Sequence, residues 1–248
     1  VFAVLAVIGV GVWLLEVTGG HMTNLGNWGT SGGVPWGLDI GAFVVWSGVA
    51  VGALVTSAVI RLARFEAFLS YARIGEVLAL PALLAGFLHV VYDLGRPGRV
   101  LNTVFHPQFG SPLFYDIVLL GGLGILGVAY LFGVTKLAAV EEDSAIGGRL
   151  LAALTLVFVA VVGGGLIPLL MASNGASVNW FGAVQGPLFV LLGLAAGLGT
   201  ILVVAAGIQL FGTTRIDDRS IAVMSSATAG VGALYLVGRA FTIQSGSF

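Results

Sequence analysis

Cysteine is absent from this chain, and charged side chains make up only 8% of its 248 residues. Without cysteine the chain forms no disulfide and holds no cysteine-ligated iron–sulfur cluster. The low charge excludes an ordinary soluble domain, in which about a quarter of the residues are charged. No polar stretch is long enough to form a separate soluble domain, and the formal net charge of −1 gives no indication of a nucleic-acid partner.

Apolar residues dominate the chain, with a hydrophobic fraction of 58% and a mean hydropathy of +1.08. Apolar runs of about 20 residues recur, which is the length that crosses a bilayer core of about 30 Å. We therefore predict an all-α, polytopic membrane protein with at least seven transmembrane helices. The predicted spans are 1–17, 36–61, 71–92, 112–134, 148–171, 183–211 and 220–241. Since the chain starts inside an apolar run without methionine and stops just after a helix, an eighth helix is expected outside it.

The basic residues predict the orientation of these spans in a cell membrane. Seven lie on one side, namely Arg61, Arg64, Arg73, Lys136, Arg149, Arg215 and Arg219, and three on the other, namely Arg96, Arg99 and Arg239. Because basic loops are retained in the cytoplasm, the first group is predicted to be cytoplasmic. The loops 18–35, 93–111 and 172–182 then face outward.

Two glycine motifs suggest an internal repeat. Gly48 and Gly52 form one GxxxG pattern, and Gly193 and Gly197 form a second. Such glycines allow helix backbones to approach closely in lipid, although chance matches are expected among 39 glycines. We predict two four-helix bundles, with the first in residues 1–134 and the incomplete second in residues 148–248.

Three stretches carry a resemblance to a known family, and they extend over nearly the whole chain. The first is the Trp-Gly start and small-residue helix at 36–52. The second, which is the most specific, contains Asp93-Leu-Gly-Arg-Pro97, Arg99, Asn102, His106-Pro107 and Ser111-Pro112. The third runs from Trp180 to Phe189 and includes Gly186-Pro187. Together they resemble the NrfD/polysulfide reductase family of membrane subunits, including those of alternative complex III.

The resemblance implies a quinone-interacting integral membrane subunit of a multi-subunit respiratory oxidoreductase. Such subunits exchange electrons and protons with menaquinone or ubiquinone as an exchangeable substrate, and they contain no heme. They work beside a ferredoxin-like iron–sulfur subunit, and often a molybdopterin or other catalytic subunit, usually at the outer face. Some relatives carry a histidine in the second helix where this chain reads Gly48-Val-Ala-Val-Gly52. The proton path of those relatives is therefore not assigned to this chain.

His89 and Asp93 are the predicted catalytic residues. They lie four residues apart at the outer end of the span 71–92 and share a helix face. An imidazole can hydrogen-bond a quinone oxygen and take its proton, while a carboxylate fixes the tautomer and stabilises the imidazolium. The alternative is a structural histidine at a helix end.

Asp39, Trp46 and Tyr92 are further candidates for binding the quinone. Asp39 and Trp46 are seven residues apart and lie within about 20° on a helix, so they are predicted to line a slot. Asp39 alternatively favours the helix N-terminus through the dipole, or pairs with Arg96 or Arg99. Tyr92 is either a second donor to the quinone or a member of the aromatic belt.

Glu76 and Asp116 are predicted stations of a proton path. Glu76 lies about 140° around the helix from His89, so the two do not share a face. It alternatively pairs with Arg73 or Arg64. Asp116 begins a span on the outer side, where it either bounds the site or pairs with Arg239.

The outer loops supply the remaining candidates. The resemblance makes Trp36 and Asn24 part of the rim of the quinone site. Arg96, Arg99 and His106 are predicted to dock the partner subunit, although the two arginines alternatively pair with acidic residues nearby. No metal ligand is predicted.

Two other functions fit the sequence less well. A secondary transporter fits the glycine-containing helices, but it predicts pairs of broken helices with polar residues at the midplane, and the polar groups gather at one face instead. A diheme cytochrome b requires paired axial histidines, whereas only His89 among three histidines lies in a predicted helix.

Overall fold

The computed structural model describes residues 7–11, 14, 38–93, 100–137, 144–161, 184–212 and 217–244. These residues form helices and a few turns, and no strand occurs among them. Residues 7–11 and 14 are helical, and the longer helices are α1 (Leu38–Leu62), α2 (Leu69–Asp93), α3 (Val100–Phe105), α4 (Pro112–Leu137), α5 (Ser144–Val161), α6 (Gln185–Phe211) and α7 (Asp218–Gln244). The predicted all-α class is confirmed for this part of the chain.

Four described helices are long and apolar enough to cross a membrane, as judged by length and composition. They are Asp39–Leu62, Glu66–Val91, Gln185–Phe211 and Asp218–Ile243, and shorter apolar helices occur at Leu120–Tyr130 and Arg149–Val161. The chain is therefore a multi-pass membrane protein. Most of the predicted span 1–17 and the end of the span 148–171 lie outside the described residues, so the total of seven spans stays a prediction.

The helix bounds follow the predicted spans closely because apolar runs and polar breaks set them. The short helix α3 is the exception, since it lies inside the stretch 93–111 that was predicted as a break. Its six residues are too few for periodicity to distinguish a helix from a loop.

Helix α1 ends in a Schellman motif, in which Phe65 N donates to Ile60 O at 3.0 Å and Arg64 N donates to Arg61 O at 3.4 Å. Arg64 occupies the left-handed position of this motif, with a φ of 55°. This conformation favours glycine and costs roughly 1 kcal/mol or more for a residue with a Cβ. A 3-10 helix, Glu66–Phe68, then leads into α2.

Replacing Arg64 by glycine is therefore expected to stabilise the fold by about 0.5–1 kcal/mol, because the left-handed backbone is no longer strained. Thermal unfolding in detergent micelles measures this as a higher Tm. The matched control is Ala63→Gly, which adds flexibility outside the left-handed position and should lower the Tm. A lower Tm for Arg64→Gly would show that the arginine side chain contributes more than the strain costs.

Helix α1 lies at the centre of the described helices and contacts α2, α5 and α6. It is antiparallel to α2, and it crosses α6 at glycines: Gly48 and Gly52 face Gly193 and Gly197. The contacts advance along both helices together, so α1 and α6 run in the same direction. The two predicted GxxxG patterns thus pack directly against each other. Whether they mark an internal repeat stays a prediction.

Two apolar clusters lie on either side of α1. One joins α1 and α2 to α4 and α5, with Leu54, Ala79, Leu123 and Ala152 fully buried. The other joins α1 and α2 to α6 and α7, and it contains Ala53, Tyr71, Ile201 and Met224. Helix α5, which the predicted division assigns to the second bundle, packs against α1 and α4. The division into residues 1–134 and 148–248 stays a prediction.

The start of α7 is fixed by side-chain hydrogen bonds. Asp217 Oδ2 accepts a hydrogen bond from Ser220 N at 3.1 Å, which satisfies one of the free amides of the first turn. The hydroxyls of Ser220 and Tyr71 lie 3.1 Å apart, so the same turn is tied to α2. This contact fixes α7 beside the beginning of α2.

The helix directions define two ends of the molecule. The Asp39 end holds the starts of α1 and α6 and the ends of α2 and α7, and the Arg61 end holds their opposite termini. Arg61, Arg64, Arg73 and Arg219 lie at the Arg61 end, while Arg239 lies towards the Asp39 end. This grouping agrees with the predicted division of the basic residues. Which end faces the cytoplasm stays a prediction.

Candidate functional site

A histidine–carboxylate pair lies between α1 and α2 at the Asp39 end. His89 Nδ1 is 2.9 Å from Asp39 Oδ1, and the two side chains are 34% and 28% exposed. The antiparallel packing of α1 and α2 brings the first turn of one helix beside the last turns of the other. Asp39 also lies in the first turn of α1, at the positive end of the helix dipole.

The pair determines which ring nitrogen of His89 carries the proton. With Asp39 ionised, its carboxylate only accepts hydrogen bonds, so in the neutral ring of His89 Nδ1 is the donor and Nε2 the acceptor. Among the described residues, no group hydrogen-bonds Nε2. Nε2 is therefore the atom that can accept a proton from a hydroxyl placed against this half-buried ring.

Aromatic side chains lie beside the pair, further along α1. Gly86, three residues before His89, faces Phe43 and Trp46: a Cβ on Gly86 would lie 3.5 Å from Phe43 Cδ2 and 3.4 Å from Trp46 Cβ. Phe43 is buried and Trp46 is partly exposed. On the side towards the middle of α1, the surroundings of the pair are therefore apolar and aromatic.

The structure brings together two predicted site residues, His89 and Asp39, while Trp46 lies further along α1 with its Cβ beside Gly86. Pairing of Asp39 with His89 was not among the predicted alternatives, because sequence spacing suggested Asp93 instead. The side chains of Tyr92, Asp93 and Asp116 lie outside the described part, although their backbones are helical. Asn24, Trp36, Arg96 and Arg99 also lie outside the described residues.

Glu76 forms a separate buried cluster towards the Arg61 end. Its Oε1 accepts hydrogen bonds from Arg61 Nε at 2.5 Å and Ser57 Oγ at 2.5 Å, and its Oε2 accepts one from Arg61 Nη2 at 3.0 Å. The sequence predicted Arg73 or Arg64 as the alternative partner of Glu76. This is wrong, because the structure pairs Glu76 with Arg61. Arg61 and Ser57 lie four residues apart on the face of α1 that contacts α2, whereas Arg64 and Arg73 are exposed.

Glu76 and His89 are thirteen residues apart on α2, or about 20 Å along the helix. Buried apolar side chains lie between them, including Val51, Leu54 and Ala79. The two charged groups therefore belong to separate sites. Ser57 was not predicted from the sequence, where the available signal was a serine one helical turn before an arginine.

Tyr130 was also missed by sequence analysis. It is fully buried, and its hydroxyl has no hydrogen-bond partner among the described residues. The Thr155 hydroxyl lies near it and donates to Leu151 O at 2.9 Å. Nothing in its sequence context distinguishes this tyrosine from others in apolar helices.

A depression of about 250 Å³ lies beside α3 and the start of α4. It is lined by Asn102, Thr103, His106, Gln108, Ser111 and Phe114. Three of these, Asn102, His106 and Ser111, belong to the motif that carried the family resemblance. In the described residues, no three histidine or acidic side chains converge as metal ligands.

Comparison with known proteins identifies the family. Residues 26–244 match the family model of polysulphide reductase, NrfD. A protein from Halobacterium salinarum, assigned as a membrane subunit of dimethyl sulfoxide reductase, is 30% identical over 220 residues, which are 83% of this chain and 50% of that protein. An Hdr-like menaquinol oxidoreductase integral membrane subunit from Archaeoglobus fulgidus is 23% identical over 195 residues, which are 78% of this chain and 46% of that protein.

A shorter match, at 29% identity over 82 residues, is to a selenate reductase subunit from Mesobacillus selenatarsenatis, and it covers 33% of this chain and 19% of that protein. The chain spans about half the length of the first two relatives. The predicted resemblance is confirmed by a family match that extends over most of the chain. The chain therefore belongs to the polysulphide reductase NrfD family of membrane subunits.

Proposed function

We propose that this chain is the quinone-reactive membrane subunit of a multi-subunit respiratory oxidoreductase. The observation that carries the proposal is the Asp39–His89 pair, half-buried at one end of apolar helices. Ionisable groups inside membrane helices are costly and are usually functional or paired. The relative from Archaeoglobus fulgidus is a menaquinol oxidoreductase subunit, and this supports a quinone substrate for the present chain.

His89 is proposed to act as the base in quinol oxidation. Nε2 accepts the proton of a quinol hydroxyl. The Asp39 carboxylate, whose Oδ1 lies 2.9 Å from Nδ1, stabilises the imidazolium that forms. Each quinol loses two electrons and two protons to become a quinone, so His89, which is partly exposed, releases the first proton to the aqueous side before it accepts the second. The electrons pass to an iron–sulfur subunit, since the chain has no cysteine with which to hold a cluster. In quinone reduction, the same groups deliver the proton.

The aromatic residues beside the pair are proposed to hold the quinone ring. Trp46, which is 37% exposed, presents apolar surface next to Gly86 and the buried Phe43, and a flat quinone ring packs favourably on such a side chain. Tyr92, Trp36 and Asn24 stay candidates for the rest of the site. Asp93 stays a candidate for a second carboxylate, and Asp116 for the next proton carrier at this end.

In the proposed complex, the electron-transfer partner binds at the Asp39 end. A membrane subunit of a dimethyl sulfoxide reductase and a subunit of a selenate reductase are relatives of this chain. This supports a partner iron–sulfur subunit with a molybdopterin or other catalytic subunit beyond it. Arg96, Arg99 and His106 are proposed to contribute to docking. The distribution of basic residues supports placing this end outside the cytoplasmic membrane.

Quinol-dependent dye reduction by the assembled complex in membranes tests the proposal. We expect His89→Ala and Asp39→Asn each to lower turnover at least about 100-fold, because the first removes the base and the second no longer fixes its tautomer. The matched control is Asp218→Asn, an exposed acid at the opposite end, which should keep normal turnover.

Asp93→Asn separates the two possible carboxylate partners. A loss with Asp93→Asn but not with Asp39→Asn would make Asp93 the partner of His89 during turnover. Normal turnover in both His89→Ala and Asp39→Asn, with the complex still assembled, would disprove the quinone site proposed at this pair.

A further inference from the structure

The Tyr130 hydroxyl is a buried polar group without a hydrogen-bond partner among the described residues. The side chain lies on α4 and is completely buried. Buried polar groups in native proteins are nearly always paired, with protein or with ordered water, because an unpaired group has lost the hydrogen bonds that it made in solvent. Lipid around the helices supplies no substitute. The hydroxyl therefore indicates a partner that is not one of the described side chains.

Tyr130 lies where α4 approaches the buried Glu76 cluster. Its ring belongs to the apolar cluster that joins α1 and α2 to α4 and α5. Glu76 and Arg61 lie close enough to the hydroxyl for their charges to act on it, and the Thr155 hydroxyl lies beside it. The Tyr130 hydroxyl is therefore at the boundary between an apolar cluster and a buried ion pair.

Among the described residues, two neighbouring groups can each accept a further hydrogen bond. Glu76 Oε2 accepts one from Arg61 Nη2 at 3.0 Å, and a carboxylate oxygen has room for two. The Thr155 hydroxyl donates its proton to Leu151 O at 2.9 Å, so its oxygen is left as an acceptor. Both side chains are almost completely buried, so bulk solvent does not supply these bonds.

A water molecule matches this set of groups. Buried waters typically form about three hydrogen bonds, and here one donor, the Tyr130 O–H, faces two acceptors, Glu76 Oε2 and Thr155 Oγ1. A metal cation fits less well, because Arg61 already pairs with the Glu76 carboxylate. An anion would be repelled by the same carboxylate.

We propose that one ordered water molecule binds between the α1–α2 pair and the α4–α5 pair. It accepts the proton of Tyr130 and donates its own hydrogens to Glu76 and Thr155. The water ties α4 and α5 to the charged cluster on α1 and α2, where the other contacts are apolar. The inference does not depend on the proposed quinone site, which lies about 20 Å further along α2.

Tyr130→Phe tests whether the hydroxyl is hydrogen-bonded. If it donates to a buried water, its removal leaves that water short of a partner, and the Tm in detergent should fall by about 2–4 °C. The matched control is Tyr115→Phe on the same helix, whose side chain is 41% exposed and whose Tm should not change. An unchanged or higher Tm for Tyr130→Phe would overturn the proposal, because it would show that the hydroxyl has no partner to lose.

Electron cryo-microscopy of the assembled complex, at a resolution that shows ordered water, identifies the partner. We expect density for one water within about 3.2 Å of both Tyr130 Oη and Glu76 Oε2. Tyr71 is the internal control, because its hydroxyl lies 3.1 Å from that of Ser220 and needs no water. Direct contact of Tyr130 Oη with a protein acceptor, or ordered water elsewhere between the helices but none joining these two atoms, would overturn the proposal.

Discussion

Replacing Gly52 by alanine is expected to prevent stable packing of α1 against α6. A Cβ at this position would lie 2.7 Å from the carbonyl carbon of Gly193 and 3.0 Å from the Cα of Leu194. Both atoms belong to the backbone of α6 and cannot rotate away, so the helices must separate. Separation weakens the close backbone packing that drives helix association in lipid. We expect a loss of about 3 kcal/mol or more, seen as a large fall in Tm in detergent.

Gly197→Ala should behave like Gly52→Ala, because its Cβ would lie 2.5 Å from Ala53 N and 2.7 Å from Gly52 Cα. Each helix also supplies a matched control. Gly41 on α1 and Gly207 on α6 have no atom within 4 Å of an added Cβ. Alanine there should stabilise the helix by up to about 1 kcal/mol. Equal effects at all four positions would show that the crossing does not depend on close backbone contact.

Replacing Glu76 by methionine is expected to destabilise the fold by about 3–5 kcal/mol, because the guanidinium of Arg61 then lacks its paired charge. Glu76 is almost completely buried, and it accepts hydrogen bonds from both Arg61 and Ser57. Unfolding in detergent measures the change. The control is Glu66→Gln, an exposed acid in the turn after α1, where a change within about 0.5 kcal/mol is expected.

The double variant Arg61→Met/Glu76→Met separates a structural role of this cluster from a role in proton transfer. Replacing both charges by apolar side chains of similar volume should restore most of the lost stability. If the pair is structural, the double variant also recovers quinol-dependent turnover. If Glu76 is a station of a proton path, the double variant is stable and its turnover stays low. A double variant no more stable than Glu76→Met would contradict the pairing itself.

Glu76 and Asp39 illustrate what spacing along one helix can and cannot predict. The sequence identified both as costly charges in apolar helices, since a few acids among long apolar runs are conspicuous. Their partners come from another helix, nineteen residues away for Ser57 and fifty for His89. Spacing within one helix indicates which side chains share a face, but it contains no information on the rotation of a neighbouring helix. The prediction therefore paired His89 with Asp93 and did not include a pairing of His89 with Asp39.

The two GxxxG patterns were recognised in the sequence, but their mutual contact was not. A small residue every four positions indicates a helix face suited to close approach, and many helices of this chain contain glycine. Only the packed structure distinguishes Gly52, which touches the backbone of α6, from Gly41, which touches nothing. Helix α3 was likewise recognised only in the structure, because its six residues were predicted as part of a break.

The sequence alone determined that this is an all-helical membrane protein of the NrfD family and approximately where its described helices begin and end. Those properties depend on local quantities, namely apolar run length, breaks rich in polar residues, and a specific motif at 93–112. The tertiary structure decided which residues meet: His89 with Asp39, Glu76 with Arg61, and Gly52 with Gly193. Each of these contacts depends on the relative rotation and depth of two packed helices, which arise from side-chain packing between segments distant in the chain.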